Sequence, residues 1–126
     1  MNLEPIVAHL AASGFGELGQ DLYAYQMPAS VSQAALVLTQ MPMRRHPDID
    51  NYFMGEFQVV VRHTNRAAGR NLSDEIAASL EGFNRQLGEM KFLYIRQLHA
   101  PHSYPRSEGN ELEFSVNYQC AFLTIS

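Results

Sequence analysis

Three arginines at intervals of four residues are the first feature of this sequence that points to chemistry. Arg62, Arg66 and Arg70 lie in the stretch EFQVVVRHTNRAAGRN, residues 56–71, and side chains four apart share one face of a helix. Guanidinium groups in such a row can bind phosphates. The alternative is that Arg62 ends a strand and pairs with a carboxylate, while Arg66 and Arg70 lie on a polar helix face or between subunits. We favour the alternative, because polar helix faces are commonly charged.

Metal and phosphate motifs are absent from the sequence. His99 and His102, taken with His46 or His63, could suggest a metal, but HAPH is not a helical pair four apart, and neither Cys-x-x-Cys nor His-Glu-x-x-His occurs. The glycine-rich segment GFGELGQ, 14–20, does not match the phosphate-binding pattern G-x-G-x-x-G between a strand and a helix. The sequence therefore predicts no metal site and no cofactor, and we interpret the histidines as loop residues.

Candidate nucleophiles and acid–base groups give no active site either. Cys120 lies in an alternating apolar stretch, which predicts a small buried side chain. The carboxylate pairs Asp48/Asp50 and Glu111/Glu113 lie in or beside loops, and nothing indicates the shaped pocket that general acid–base catalysis requires. We therefore predict no catalytic residues and no enzyme.

Length, charge and cysteine content narrow the class of protein. A chain of 126 residues is long enough for one domain, expected over 1–126. Its net charge of −4, with nine lysines and arginines, argues against a dedicated nucleic-acid binder. One cysteine excludes an internal disulfide and indicates a reducing compartment. The sequence contains no run of about 18 apolar residues, so it predicts no membrane-spanning helix. The apolar N-terminus lacks the basic region of a signal peptide.

The helices and strands that would position these residues are predicted from hydrophobic periodicity. The predicted elements are a helix from Leu3 ended by Gly14, strands at 21–28, 33–41 and 53–63, a second helix ended by Gly88, and strands at 91–99 and 112–125. The second helix has an apolar stripe: Ala68, Leu72, Ile76, Leu80, Phe83 and Leu87. Thr64 or Asn65 is the preferred cap, and Asn71 or Ser73 would cap a shorter helix, because Gly69 and Asn71 weaken the first turns.

The order α-β-β-β-α-β-β predicts an α+β fold: a two-layer sandwich in which two helices cover one face of a mainly antiparallel sheet of about five strands. The last strand alternates most regularly, with Phe114, Val116 and Tyr118 on its buried side. It also offers an edge for pairing with another chain. Two long loops, 42–52 and 100–111, project from this core. The first is rich in Met, Tyr and Arg, which are enriched at protein interfaces, although an ordinary exposed loop is an equal alternative.

Taken together, these features resemble the tail terminator and minor capsid proteins of long-tailed bacteriophages. The resemblance covers nearly the whole chain: GELGQDLYAYQMP after the first helix, ALVLTQ, the loop leading to FQVVVR, the helix through IAASLEGF, and the strands FLYIRQL and ELEFSVNY. The most specific parts are the element order and the position of Arg62 at a strand end before the helix. Gly69 and Asn71 depart from the expected pattern, because they interrupt the early part of the second helix, where Arg66 and Arg70 lie.

The resemblance implies a virion structural protein, assembled in the bacterial cytoplasm, that needs no enzyme activity and no cofactor. Its implied partners are itself, as a homohexameric ring, the tail tube protein and a head-proximal connector or neck protein. The ring would stop tube polymerisation and dock the head, and DNA would pass through it without sequence-specific binding. Contact surfaces are expected on loops 42–52 and 101–110 and beside the second helix. The implied interface residues are Met41, Met43, Arg44, Arg45, Asp48, Asp50, Tyr52, Arg66, Arg70, His102, Tyr104 and Arg106.

Three other classes stay open on sequence alone. One is a different virion adaptor, such as a head-completion or neck protein, which differs only in its partner. The second is a cytoplasmic α+β domain that acts on or binds a small molecule. The third is a nucleic-acid binder, which the charge balance disfavours.

Overall fold

Two helices and eight strands make up the computed structural model, which describes residues 1–105 and 110–125. In chain order the elements are α1 (Glu4–Ala12), β1 (Leu22–Ala24), β2 (Ala34–Leu38), β3 (Arg44–Arg45), β4 (Tyr52–His63), α2 (Arg66–Leu80), β5 (Gly82–Leu87), β6 (Met90–Gln97), β7 (His102–Pro105) and β8 (Leu112–Thr124). The predicted α+β class is confirmed. The sheet has eight strands instead of about five, because β3, β5 and β7 form where loops or helix were predicted.

The sheet is built around the two longest strands, β4 and β8. Its order is β1-β2-β4-β8-β6-β5, while β3 adds to one end of β4 and β7 to one end of β8. All pairs are antiparallel except β1 with β2. The prediction that the last strand is an edge is wrong, since β8 pairs with β4 on one side and with β6 and β7 on the other.

One face of this sheet carries the core. Alternation along β8 buries Phe114, Val116 and Tyr118 as the sequence predicts, and register places them opposite Val61, Val59 and Phe57 of β4. Both helices belong to the same apolar cluster, through Leu3, Ile6, Val7 and Leu10 of α1 and Ile76, Ala77 and Leu80 of α2. The other face of the sheet, here called the back face, carries mainly polar residues along β4, β8 and β6.

The second helix begins where the longer version was predicted. The Asn65 side chain accepts a hydrogen bond from the Ala68 N–H at 2.9 Å, a standard N-cap contact. Gly69 is buried in the first turns and allows the helix to approach β8 closely, so it does not interrupt α2.

The end of the second helix was predicted wrongly. The helix stops at Leu80, and the segment predicted as its last turns is strand β5. Arg85 explains the change: its guanidinium donates hydrogen bonds to the main-chain carbonyls of Ser79 and Leu80, which are free at a helix end. Gly88, at φ +60°, lies in the turn joining β5 to β6. Neither helix in the described residues has the length and apolar character to cross a membrane.

Candidate assembly surfaces

The loop at 42–52 is a structured hairpin rather than an irregular loop. Arg44 and Arg45 pair with Met54 and Phe53 as strand β3. The tip is held from within: His46 Nδ1 accepts hydrogen bonds from the main-chain N–H groups of Asp48 and Ile49, both at 3.1 Å. Hydrogen-bonding of the tip to its own histidine explains how a two-residue strand can project from the sheet in a defined shape.

The side chains of this hairpin differ in how far they are available to a partner. Met41 is 74 % exposed, whereas Met43 is half-buried against the core and lies over Gly55. Arg45 and Asp50 form an ion pair at 2.8 Å. Because both side chains are largely in water, this pair contributes little to stability. The predicted interface residues of this region, Met41, Met43, Arg44, Arg45, Asp48, Asp50 and Tyr52, are called the tip surface.

A second group of predicted residues lies where α2 starts. Strand β7 places the rings of His102 and Tyr104 with centroids 5.9 Å apart. Arg66 donates a hydrogen bond from Nη1 to Ser103 Oγ at 3.2 Å, which ties the helix start to β7. Burial, and then the negative charge of Glu113, raise the pKa of Tyr104 above its ordinary value. Arg66, Arg70, His102 and Tyr104 are called the helix-start surface; the predicted Arg106 lies outside the described residues.

The two surfaces lie at opposite ends of the sheet. Tyr52 pairs with Leu123 at one end of the β4–β8 ladder, and His63 pairs with Leu112 at the other. Eleven steps at about 3.3 Å each separate these ends by about 36 Å. The structure therefore does not bring the predicted interface residues together as one patch. It divides them into two patches held apart by continuous paired strands.

Arg62 belongs to neither surface, and the row of three arginines does not exist as a unit. Its guanidinium bonds Glu113 Oε2 from Nε at 3.1 Å and from Nη2 at 3.0 Å. Its Nη1 donates to the carbonyls of Pro28 and Val31, both at 3.0 Å. Only 9 % of the Arg62 side chain is exposed, so this charge is committed inside the protein. The interpretation of Arg62 as a strand-end arginine paired with a carboxylate is confirmed.

Cys120 is buried in the core, as the sequence predicts. Burial raises the pKa of its thiol to about 12, so the reactive thiolate is scarce at neutral pH. Within the described part of the chain no three His, Cys, Asp or Glu side chains are grouped as metal ligands.

Phe83 is a surface residue that the sequence analysis missed. It was assigned to the apolar stripe of the second helix, yet it lies on β5 and is 80 % exposed. Gly82 and Asn84 on either side are poor helix formers, and that signal could have separated Phe83 from the stripe.

The fold has a counterpart in a virus-like particle. A chain of the solved virion of the native gene transfer agent (GTA) particle superposes with a TM-score of 0.65 at 10 % identity, covering 94 % of this chain and 84 % of that chain. The chain thus shares its fold with a component of that particle. A family model described as Bacteriophage tail terminator protein matches residues 9–124, and the chain belongs to that family. No curated protein matches the sequence. The protein is accordingly a structural protein of phage tails.

Proposed function

We propose that the chain forms a ring on the head-proximal end of the tail tube, where it stops tube polymerisation and provides the surface to which the head docks. The observation that carries this proposal, beside the family, is the separation of the tip surface from the helix-start surface by the β4–β8 ladder. A cap between tube and head needs two different contact surfaces that face opposite ways. One of the two would contact the tube protein and the other the head-proximal connector or neck protein.

The strands between the two surfaces make the spacing rigid. Twelve consecutive residue pairs join β4 to β8, and the Arg62–Glu113 pair closes the far end of that ladder. A ring subunit also needs lateral contacts with the next copy. Closed rings form through heterologous contacts, in which two different surface patches of neighbouring copies meet.

The charge balance suits a ring through which DNA passes. Each phosphate contact adds affinity that depends on salt, so a basic channel would retain DNA. The chain has a net charge of −4, and Arg62 is neutralised internally. These features support a passage for DNA without sequence-specific binding.

The test is growth of tail tubes from purified tube protein, with tube length measured by electron microscopy. We expect the added protein to arrest growth, and native mass spectrometry over a wide concentration range to show a closed oligomer near six copies. Tubes that keep growing, together with binding to portal-side complexes, would instead identify a head-completion or neck protein. A monomer whose melting temperature rises with common metabolites would indicate the ligand-binding alternative.

A further inference from the structure

An exposed phenylalanine on an edge strand is the starting observation. Strand β5 ends the sheet, and Phe83 is the most exposed large apolar side chain in residues 1–105 and 110–125. Soluble proteins usually protect edge strands with charge or by covering them, since an exposed apolar edge pairs with other chains. Aromatic side chains of this kind are also frequent anchors of protein interfaces. Phe83 is therefore a candidate anchor for a contact with another chain.

A cleft lies near the opposite margin of the same sheet, where β2 and β3 pair with β4. Strand β3 pairs with Phe53 and Met54 of β4, and β2 pairs with β4 only from Gln58 onward. Between them β4 has no partner strand on that side, within the described residues. The gap forms a cleft of about 360 Å³, whose lining includes Gln40, Met41, Pro42, Arg44, Glu56 and Gln58.

Register places the phenylalanine and the cleft on the same face and at the same height. Phe83 pairs with Tyr94, Tyr94 with Ala121, and Ala121 with Met54. Directly paired residues point to the same face of a sheet. Met54 in turn pairs with Arg44, which lines the cleft. One row across the back face thus runs from Phe83 at one margin to the cleft at the other.

The next row across the back face ends in opposite charges. Arg96 pairs with Gln119, and Gln119 pairs with Glu56, which lines the cleft. Arg96 and Glu56 are both exposed, and neither takes part in an ion pair among the described residues. Arg96 lies one strand in from the β5 margin and lines a surface hollow together with Glu81 and Phe83. When copies are arranged side by side at equal height, its long side chain can reach across this margin toward Glu56 of the next copy. Opposite charges facing each other across an interface fix its register.

We propose that neighbouring copies of this chain join head to tail by seating Phe83 of one copy in the cleft at Gln40–Gln58 of the next, with Arg96 facing Glu56 across the contact. This inference rests on the proposed ring and assigns its lateral interface. It reassigns Met41 and Arg44, which line the cleft, from the tube or neck contact to the neighbouring copy, and leaves the rest of the tip surface for that contact. Arg44, which lines the cleft, supplies a cation for the aromatic face of Phe83 from the neighbouring copy. The contact is heterologous, so it leaves a free phenylalanine and a free cleft at the ends of any open chain and closes only in a ring.

Disulfide trapping tests which residues meet, because the native Cys120 is buried and does not react. Chains carrying Arg96→Cys and chains carrying Glu56→Cys, which keep Phe83 intact, are oxidised alone and as a mixture, both free and on capped tubes. We expect crosslinked dimers in the mixture only, and a ladder of oligomers from the double variant. Crosslinking of Arg96→Cys with itself would indicate a two-fold contact and overturn the proposal, as would no crosslink on capped tubes.

Charge reversal tests the register. We expect Arg96→Glu or Glu56→Arg alone to weaken self-association about tenfold or more, and the double reversal in one chain to restore it. Phe83→Ser should abolish self-association without lowering the melting temperature, since the phenyl group of Phe83 is already exposed to water. Leu18→Ser removes another exposed apolar side chain, 62 % exposed, and should leave assembly intact. If Phe83→Ser still forms rings and arrests tubes, the lateral contact is wrong while the capping function stands. If the unaltered chain does neither, both proposals fail.

Discussion

Replacing Gly69 with alanine should destabilise the protein, although alanine is the better helix former. Gly69 lies in the first turns of α2 and faces the sheet. A Cβ at this position would overlap the ring of Phe114 and lie 3.0 Å from the Cβ of His63. Phe114 is itself only 2 % exposed in the core, so its ring has no free space to move into.

Two opposing effects set the size of the change. Alanine in place of glycine favours a helix by about 1 kcal/mol. Forcing an extra carbon into a packed core costs about 1–3 kcal/mol. Because the overlap is with a buried ring and a neighbouring Cβ, we expect the upper part of that range, and a net loss of about 1–2 kcal/mol. For a chain of this size the melting temperature should fall by about 4–8 °C.

Thermal and urea unfolding followed by circular dichroism would measure the effect. Asn71→Ala is the matched control, since Asn71 lies two residues further along the same helix and is exposed. It should stabilise the protein by about 0.5 kcal/mol through helix propensity alone. If Gly69→Ala were as stabilising as Asn71→Ala, the close approach of α2 to β8 would be wrong.

Three further results are expected. Arg62→Met should lower the free energy of unfolding by about 3 kcal/mol, since it leaves Glu113 and the carbonyls of Pro28 and Val31 without their donor. Glu113→Gln should lower it by less. Equal urea midpoints for Arg62→Met and the unaltered protein would contradict the buried ion pair. Burial raises the pKa of Cys120 to about 12, above its ordinary 9.0, so the folded state holds this proton more tightly than the unfolded state. The contribution of the thiol to the free energy of unfolding should therefore be constant below pH 9 and be lost from pH 9 to 12; urea midpoints that rise over this window would refute the sign. The double variant Arg66→Glu, Arg70→Glu should weaken binding to a tube or neck partner, measured by pull-down, more than it weakens DNA retention, measured by filter binding. Glu75→Arg, half a turn around the same helix, should leave partner binding unchanged. A larger loss of DNA retention than of partner binding in the double variant would contradict the role of the helix-start surface.

The parts of the fold that were predictable are those in which one local signal dominates. Alternation along β8 continues for many residues, and the wrong register would expose its whole apolar side. The start of α2 was also predictable, because Asn65 is a strong cap. The end of α2 was not, since Phe83 and Leu87 continue a helical spacing that also fits a strand. What decides it is Arg85, whose side chain reaches back to the helix carbonyls.

The sequence predicts which loops carry the candidate surfaces, but not how those loops are arranged in space. The sequence indicates that Met41 and Arg44 precede a strand and that His102 precedes another, but not how far apart they lie. That distance depends on the register of β4 against β8, which is a long-range property. The relation of Phe83 to the cleft depends on three successive registers, one of which is shifted between Phe92 and Tyr94. No local pattern in the sequence carries that information.

The structure also decides how the opening stretch of arginines should be viewed. With Arg62 bound to Glu113, the row can offer phosphates at most Arg66 and Arg70. Two phosphate contacts give a salt slope of about −1.8, so affinity would fall only about tenfold between 50 and 200 mM salt, against a thousandfold or more for proteins that make six to ten contacts. In a single subunit, such a pair cannot hold DNA against physiological salt. Since Arg66 already bonds Ser103 on β7, its role as a positioning contact for a protein surface follows more directly from the geometry than does a role in binding phosphate.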